Sequence, residues 1–161
     1  MTINFILNGE DVVFTGEPVS RLIDILRGSF GLFGAKPGCN SGQCGACTVI
    51  FNGYVTPSCL IPAFKIKGHE IITIEGFSQT DEYSEIISVF SEVHLGNCGY
   101  CEPGKILCTG ALFDRFQNPT REEILLGFSG IKCRCTNIER LIKAINIIAE
   151  IRKRRLDGYT S

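Results

Sequence analysis

The sequence has little of what marks a nucleic-acid-binding or membrane protein. Its 16 Lys and Arg residues nearly balance 17 Asp and Glu residues, the net charge is −1, and no basic stripe runs along the chain, so we expect no nucleic-acid partner. No apolar stretch approaches the roughly 18 residues that a membrane-spanning helix needs. Residues 1–5 lack the basic flank and apolar run of a signal peptide. We therefore expect no membrane insertion and a cytoplasmic location.

Histidine is also scarce. His69 and His94 stand far apart, and neither belongs to a pattern with a nucleophilic cysteine or an orienting carboxylate. We expect both to be surface or loop residues rather than metal ligands. No residue of the chain is assigned a catalytic role.

Cysteine, by contrast, is abundant, and its spacing is the most informative feature of the chain. Eight of the nine cysteines form two sets of four: Cys39, Cys44, Cys47 and Cys59, then Cys98, Cys101, Cys133 and Cys135. In a reducing compartment, clustered thiols are expected to be ligands rather than disulfides. Two metal–sulfur centres in so short a chain indicate a path for electrons. The ninth, Cys108, lies in a helical pattern and is expected to be a buried, inert thiol.

The first set has the spacing of a plant-type [2Fe–2S] ferredoxin, Cys-x4-Cys-x2-Cys with a later fourth cysteine. Glycines are interleaved with it, and they permit the unusual dihedral angles and close backbone approach that a loop around a cluster requires. The amides of such a loop can point at the sulfides. Four thiolates also suit zinc, but three cysteines in one loop fit the paired knuckles of zinc sites poorly.

The second set is less decisive, because a Cys-x2-Cys pair followed by a later pair also resembles a zinc knuckle. Each pair comes directly before a predicted helix, one starting near Pro103 and one after Thr136. The free amides and positive dipole ends of both helices would favour an anionic cluster. Residues at i and i+2 of an extended chain face the same way, so Cys133 and Cys135 can share one centre while Arg134 points elsewhere.

The first half of the chain predicts a small mixed sheet around one helix. Alternating apolar residues on both sides of Asn8-Gly9 predict a hairpin with a primed turn. Residues 20–28 carry apolar residues at helical spacing. Residues 47–51 and 70–74 predict further strands around a second turn at Asn52-Gly53. This is a β-grasp pattern, and a change of texture near residues 76–82 places the boundary between domains 1–77 and 78–161.

The second half predicts four helices. They are expected at about residues 82–95, at 103–116, and after Thr120 and Thr136, each of which begins a capping-box pattern with Glu123 or Glu139. The last helix ends in the basic run 152–155, where positive charge complements the helix dipole. The fold class predicted is α+β, with an N-terminal β-grasp, plant-type ferredoxin-like domain and a C-terminal four-helix bundle.

Three motifs carry a family resemblance. Residues 34–48, the run Cys98-Gly99-Tyr100-Cys101-x-Pro103-Gly104 and the run Cys133-Arg134-Cys135-Thr136 closely resemble the small iron–sulfur subunit of the molybdenum hydroxylases. That family includes xanthine dehydrogenase, aldehyde oxidoreductase, carbon monoxide dehydrogenase and nicotinate dehydrogenase. The resemblance covers nearly the whole chain and implies the same two-domain fold.

The resemblance implies an electron relay that is not catalytic alone. Substrate is oxidised at a molybdopterin cofactor on a large subunit, and electrons pass through the second cysteine set to the first and then to FAD on a medium subunit. We expect a xanthine dehydrogenase-like complex, because that enzyme is prevalent in the family. A free two-cluster ferredoxin and a zinc-stapled interaction module are the alternatives.

The chain departs from the family beside the expected cofactor. By the resemblance, Asn97 replaces a glutamine that helps hold the pterin, and Cys135 lies nearest to the pterin. Glu102 and Lys105 replace residues of a Thr/Ser-Pro-Gly-Met pattern. Because they are three residues apart, we expect Glu102 and Lys105 to pair at the helix start.

Overall fold

The computed structural model describes residues 1–95 and 98–158. Five strands form one mixed sheet in the order β2-β1-β5-β3-β4. They are β1 (Thr2–Leu7), β2 (Glu10–Thr15), β3 (Thr48–Phe51), β4 (Tyr54–Pro57) and β5 (Glu70–Ile72). Strand β1 pairs with β5 in parallel, and the other neighbours are antiparallel.

Both predicted Asn-Gly turns are confirmed. Asn8 and Gly9 have φ of 53° and 84°, and Asn52 and Gly53 have φ of 48° and 79°. Positive φ at both central positions is the type I′ geometry that matches the twist of a hairpin. The second of these hairpins, β3–β4, sets the register that positions two of the cysteines.

Six helices accompany the sheet in the described part of the chain. They are α1 (Leu22–Gly28), α2 (Ile74–Phe77), α3 (Asp81–Glu92), α4 (Glu102–Phe113), α5 (Arg121–Gly127) and α6 (Ile138–Gly158). The predicted helix in residues 20–28 and the four predicted helices of the second half are confirmed, with their ends moved by a few residues. The predicted strand 70–74 is too long, because β5 stops at Ile72 and the chain turns into α2.

The sheet separates two apolar cores, one on each face. Helix α1 packs on one face, where Leu22, Leu26 and Val49 are buried together. Helix α4 packs on the other face, and the core that it shares with α3, α5 and α6 includes Ile50 of β3 and Phe77 of α2. Neighbouring residues of β3 thus enter opposite cores, as the twofold alternation of a strand requires. The α+β class, a ferredoxin-like β-grasp followed by a helical bundle, is confirmed.

Side-chain hydrogen bonds stabilise the helical bundle at two places. Thr120 and Glu123 form the predicted capping box at α5. At the far end, the guanidinium of Arg152 on α6 donates to Glu85 (2.6 Å) and Glu82 (2.7 Å) of α3 and lies 4.4 Å above the ring of Phe113. The basic run therefore joins α6 to α3 and α4 in addition to meeting the helix dipole.

No helix within the described ranges is both long enough and apolar enough to cross a membrane.

Candidate metal centres

The β3–β4 hairpin brings the second half of the first cysteine set together. Cys47 precedes β3 and Cys59 follows β4, and Thr48 pairs with Pro57 at that end of the hairpin. The Ser58 amide and hydroxyl both donate to the carbonyl of Cys47, at 3.1 and 2.7 Å. Cys47 and Cys59 are buried and pack with Ile23 of α1. Burial, together with a hydrogen bond to Cys47, raises the pKa of Cys59 to about 11.

The loop that precedes β3 carries the other two thiols of this set. The amides of Ser41, Gln43 and Cys44 donate to Cys39 Sγ at 3.2–3.4 Å, and the Cys39 amide donates to Cys44 Sγ at 3.3 Å. Hydrogen bonds from Ser41 first, and then from the other amides, lower the pKa of Cys39 to about 6. The loop backbone is thus arranged to stabilise negative charge on sulfur.

A glycine in this loop is required by the close approach of a sulfur atom. A Cβ atom at Gly38 would lie 2.6 Å from Cys44 Sγ, far inside van der Waals contact. A side chain at position 38 would therefore force Cys44 Sγ to shift.

The second set lies where α4 begins and where the chain approaches α6. Cys101 is buried, Cys133 is half-buried, and Cys98 and Cys135 are exposed. Cys101 forms a side-chain hydrogen bond with Cys133, and Cys135 forms one with Cys98. Burial and the Cys133 contact raise the pKa of Cys101 to about 11. Burial opposes ionisation of Cys133 as well, but hydrogen bonds from Thr136 and Cys101 outweigh it and lower the pKa of Cys133 to about 7.

The cysteines of both sets associate in pairs. The Cys39 amide donates to Cys44 Sγ, and side-chain hydrogen bonds join Cys47 with Cys59, Cys98 with Cys135 and Cys101 with Cys133. Within the described residues, no group of three or more His, Cys, Asp or Glu side chains surrounds a single ion position. A [2Fe–2S] cluster takes four thiolates, two on each iron, whereas structural zinc takes four ligands around one point. The donor sets therefore fit diiron clusters better than zinc.

The two cysteine loops touch each other directly. The Lys132 amide, next to Cys133, donates to the Cys44 carbonyl at 3.0 Å. Gly45 has φ of +75°, and a Cβ there would lie 2.5 Å from the Gly130 carbonyl oxygen; a Cβ at Gly104 would lie 2.6 Å from the Gly45 carbonyl oxygen. The hydroxyl of Tyr100 also donates to the carbonyl of Pro37. The two predicted centres are therefore held against each other by backbone contacts.

Two predictions beside the second set are wrong. The Thr136 hydroxyl does not complete a capping box with Glu139, because it donates to Cys133 Sγ at 3.2 Å. Asn137 Oδ1 accepts from the Glu139 amide instead, at 2.8 Å, while the Glu139 carboxylate pairs with Arg121. Lys105 does not pair with Glu102. Its Nζ turns inward and donates to Thr136 Oγ1 at 2.7 Å and to the Leu95 carbonyl at 3.4 Å.

Two further sequence predictions concern Cys108 and Asn97, which lie near the proposed sites. Cys108 is buried in α4, and burial raises its pKa to about 12, as expected of an inert thiol. Asn97, predicted to contact the pterin, lies outside the described residues. Sequence reasoning missed the inward turn of Lys105 and the role of Thr136; the departure at position 105 from the family pattern was the signal that could have drawn attention to both.

Comparison with known proteins identifies both domains. Residues 5–69 match the family model of a 2Fe-2S iron-sulfur cluster binding domain, and residues 73–146 match that of a [2Fe-2S] binding domain.

Whole-chain relatives agree with the family models. The chain is 43% identical to the nicotinate dehydrogenase small FeS subunit of Eubacterium barkeri, over 93% of this chain and 96% of the relative. It is 34% identical to the xanthine dehydrogenase iron-sulfur-binding subunit of Escherichia coli O157:H7, over 90% and 92% of the two chains. Among solved structures, quinoline 2-oxidoreductase from Pseudomonas putida 86 matches with a TM-score of 0.86 and 36% identity over 96% of both chains.

One conclusion follows from the paired cysteines, the amides that donate to sulfur, the two matching family models and the full-length relatives. The chain belongs to the small iron–sulfur subunits of the molybdenum hydroxylases, and it is an electron-transfer subunit with two [2Fe–2S] clusters.

Proposed function

We propose that Cys39, Cys44, Cys47 and Cys59 bind one [2Fe–2S] cluster and that Cys98, Cys101, Cys133 and Cys135 bind the other. The observation that supports this assignment is the association of each set as two pairs of cysteines. We also propose that residues 1–77 and 78–161 are the two cluster-binding domains. When bound, each cluster supplies a one-electron redox centre.

The protein residues hold and polarise these centres. The backbone amides around Cys39 stabilise negative charge on its sulfur, and the Thr136 hydroxyl does the same for Cys133. Burial of Cys47, Cys59 and Cys101 excludes water from part of each set. Hydrogen bonds to sulfur and the degree of exposure are the features by which a protein sets a cluster potential.

Each set has an exposed side that a partner subunit can cover, and the family resemblance orders the partners. Cys98 and Cys135 are exposed at one set and Cys39 is exposed at the other, while the Lys132–Cys44 hydrogen bond joins the two sets on their inner sides. We propose that the molybdopterin-binding large subunit covers the Cys135 side, with Asn97 and Cys135 toward the pterin. The FAD-binding medium subunit, or another acceptor, covers the Cys39 side. Electrons then run from Cys135 toward Cys39.

The substrate class is taken from the relatives. Their names refer to nicotinate, xanthine and quinoline, all of which are nitrogen heterocycles. We propose that the complex hydroxylates a nitrogen heterocycle in the cytoplasm, with a xanthine dehydrogenase-type activity as one member of that class. The pocket for this substrate belongs to the molybdenum-containing partner.

The test is purification of the native complex through a tag on this chain, without oxygen. Iron, acid-labile sulfide, molybdenum and flavin are quantified, and low-temperature EPR of the reduced complex is expected to show two distinct [2Fe–2S] signals. Xanthine, nicotinate and quinoline are then each added anaerobically, and reduction of the clusters is followed by visible absorbance. Zinc in place of iron, or the absence of a molybdenum-containing partner, would refute the proposal.

A further inference from the structure

Lys105 is a buried cation in a place where the sequence predicts an exposed ion pair. It lies in the first turn of α4 and is 3% exposed. A lysine is almost never this buried unless it is paired, because transfer of an ammonium group out of water carries a large free-energy cost. Some feature of its surroundings must offset that cost.

The surroundings do not contain the usual partner. Within the described ranges 1–95 and 98–158, no carboxylate lies within 4 Å of Lys105 Nζ. Among these described residues, its acceptors are two neutral oxygens, the Leu95 carbonyl and Thr136 Oγ1. The compensating negative charge must therefore come from groups beyond these two oxygens.

The second cysteine set would supply that charge when its members bind a cluster as thiolates. Thr136 Oγ1, 2.7 Å from Lys105 Nζ, donates its own proton to Cys133 Sγ at 3.2 Å. The ammonium, the hydroxyl and the sulfur thus form one continuous hydrogen-bonded chain. Lys105 also lies within electrostatic range of Cys101 and Cys135. Lys105 thus interacts with three of the four thiols of the second set, with Cys133 through Thr136 and with Cys101 and Cys135 electrostatically.

We propose that Lys105 is a positioning and charge-tuning residue of the second cluster, which fixes the Thr136 hydroxyl on Cys133 Sγ and raises the reduction potential of that centre. The inference rests on the ligand assignment proposed above. It concerns the first centre to receive an electron from the molybdenum-containing partner.

The physical reason is the charge that reduction adds. Reduction of a bound cluster by one electron would add one unit of negative charge beside the Lys105 ammonium. Attraction between the fixed cation and the added electron stabilises the reduced form, and so does the hydrogen bond that Thr136 holds on sulfur. In the low-dielectric interior this attraction is screened less than at the surface. The donor is the molybdenum-containing partner in turnover, or dithionite in a titration.

The substitution Lys105→Met tests the charge while it preserves most of the side-chain volume. Thr136→Val removes the hydroxyl at nearly constant shape, and Thr136→Ser keeps the hydroxyl and serves as its conservative rescue. Lys143→Met removes one exposed cation from α6 and is the matched control for net charge. These four variants and the double variant Lys105→Met/Thr136→Val are prepared in the full complex and titrated with dithionite under EPR, so that the two cluster signals are followed separately.

For Lys105→Met we expect the reduced-to-oxidised ratio of the second centre at fixed potential to fall tenfold. This fall corresponds to a reduction potential lower by about 59 mV for a one-electron couple. The potential of the first centre is expected to stay unchanged. Thr136→Val should lower the potential of the second centre as well, whereas Thr136→Ser and Lys143→Met should leave both potentials unchanged. The shift in the double variant Lys105→Met/Thr136→Val should differ from the sum of the two single shifts, because one residue acts through the other.

Unchanged potential of the second centre in Lys105→Met would overturn the proposal. If Lys105→Met loses the second cluster, the test is the comparison of Thr136→Val with Thr136→Ser. Equal potentials of the second centre in these two variants would also overturn the proposal. A wild-type complex that shows only one [2Fe–2S] signal would refute the ligand assignment itself, and this outcome is distinct from two signals with unshifted potentials.

Discussion

The carbonyl of Cys44 accepts a hydrogen bond of 3.0 Å from the amide of Lys132, so the backbones of the two cysteine sets are joined directly. Lys132 precedes Cys133 in sequence, and both joined residues lie next to or within a proposed cluster site. The absence of a Cβ at Gly45 and Gly104 allows the backbones to approach this closely, and we expect this approach to support electron transfer between the centres.

A methyl group at position 104 should separate the two loops. A Cβ in Gly104→Ala would lie 2.6 Å from the Gly45 carbonyl, and overpacking of this kind costs about 1–3 kcal/mol. We expect a lower apparent free energy of unfolding in urea and slower electron transfer between the two centres, measured by freeze-quench EPR. Gly28→Ala is the control, because a Cβ there has nothing within 4 Å. An unchanged transfer rate in Gly104→Ala would contradict the role of this contact.

The cysteine assignment predicts that each EPR signal can be removed separately. Cys59→Ser should abolish or alter only the signal of the first set, and Cys101→Ser only that of the second, because each replaces one buried thiolate. Cys108→Ala removes a buried thiol outside both sets and should leave both signals intact. A signal that changes with Cys108→Ala, or survives unaltered in both serine variants, would show that the assignment is wrong.

The sequence was sufficient for the elements that local chemistry determines. The Asn-Gly turns at residues 8–9 and 52–53 and the capping box of Thr120 with Glu123 depend on backbone preferences and on neighbours a few residues away. The cysteine spacings predicted the two sets for a similar reason, since a cluster constrains which positions along a loop can supply thiolates.

Long-range competition explains what the sequence could not provide. The Thr136-x-x-Glu139 pattern is as good a capping box as the one at Thr120, but the Thr136 hydroxyl is taken by Cys133 and Lys105, which no local rule includes. The inward turn of Lys105 depends likewise on Leu95 and Thr136, residues ten and 31 positions away. The Lys132–Cys44 hydrogen bond joins residues of two different family-model matches. No local sequence pattern around either residue predicts it.

The hydrogen bond between Glu75 of α2 and the loop that precedes β3 should contribute to stability in a pH-dependent way. Glu75 Oε1 accepts from the Gly34 amide at 2.7 Å. Burial alone would raise the pKa of this carboxyl, but the Thr73 side chain and the Gly34 amide outweigh burial and lower it. A lowered pKa in the folded state stabilises the protein above the unfolded-state pKa of about 4.3, and this stabilisation is lost as pH falls through the folded-state value.

The substitution Glu75→Gln should therefore lower the apparent free energy of unfolding by roughly 1 kcal/mol at pH 7. The difference from wild type should shrink as the pH is lowered below about 4.3. Urea unfolding is measured on the metal-free chain, so that acid lability of the clusters does not contribute. Glu17→Gln, at an exposed site, should show no such dependence. A difference between Glu75→Gln and wild type that stays constant with pH would exclude the charge of Glu75 as its cause.

Arg152 should be the main cation that stabilises the far end of the bundle. Its side chain is 25% exposed and bonds to Glu85, which is 10% exposed, and to Glu82, and it stacks on Phe113. Hydrogen bonds between charged groups at partly buried sites contribute about 1.5–3 kcal/mol each, and solvent screening reduces this figure. We expect Arg152→Met to cost roughly 2 kcal/mol in urea unfolding of the helical domain.

Comparison with a neighbouring arginine separates the network from net charge. Arg154 is 82% exposed and lies 3.7 Å from Glu150, so Arg154→Met should change stability by no more than about 0.5 kcal/mol. Arg152→Lys keeps the charge but cannot donate to two carboxylates with one planar group, so it should fall between wild type and Arg152→Met. If Arg152→Lys matched wild type, charge alone would account for the contribution; if Arg152→Met matched Arg154→Met, the network would contribute nothing to the stability of the bundle.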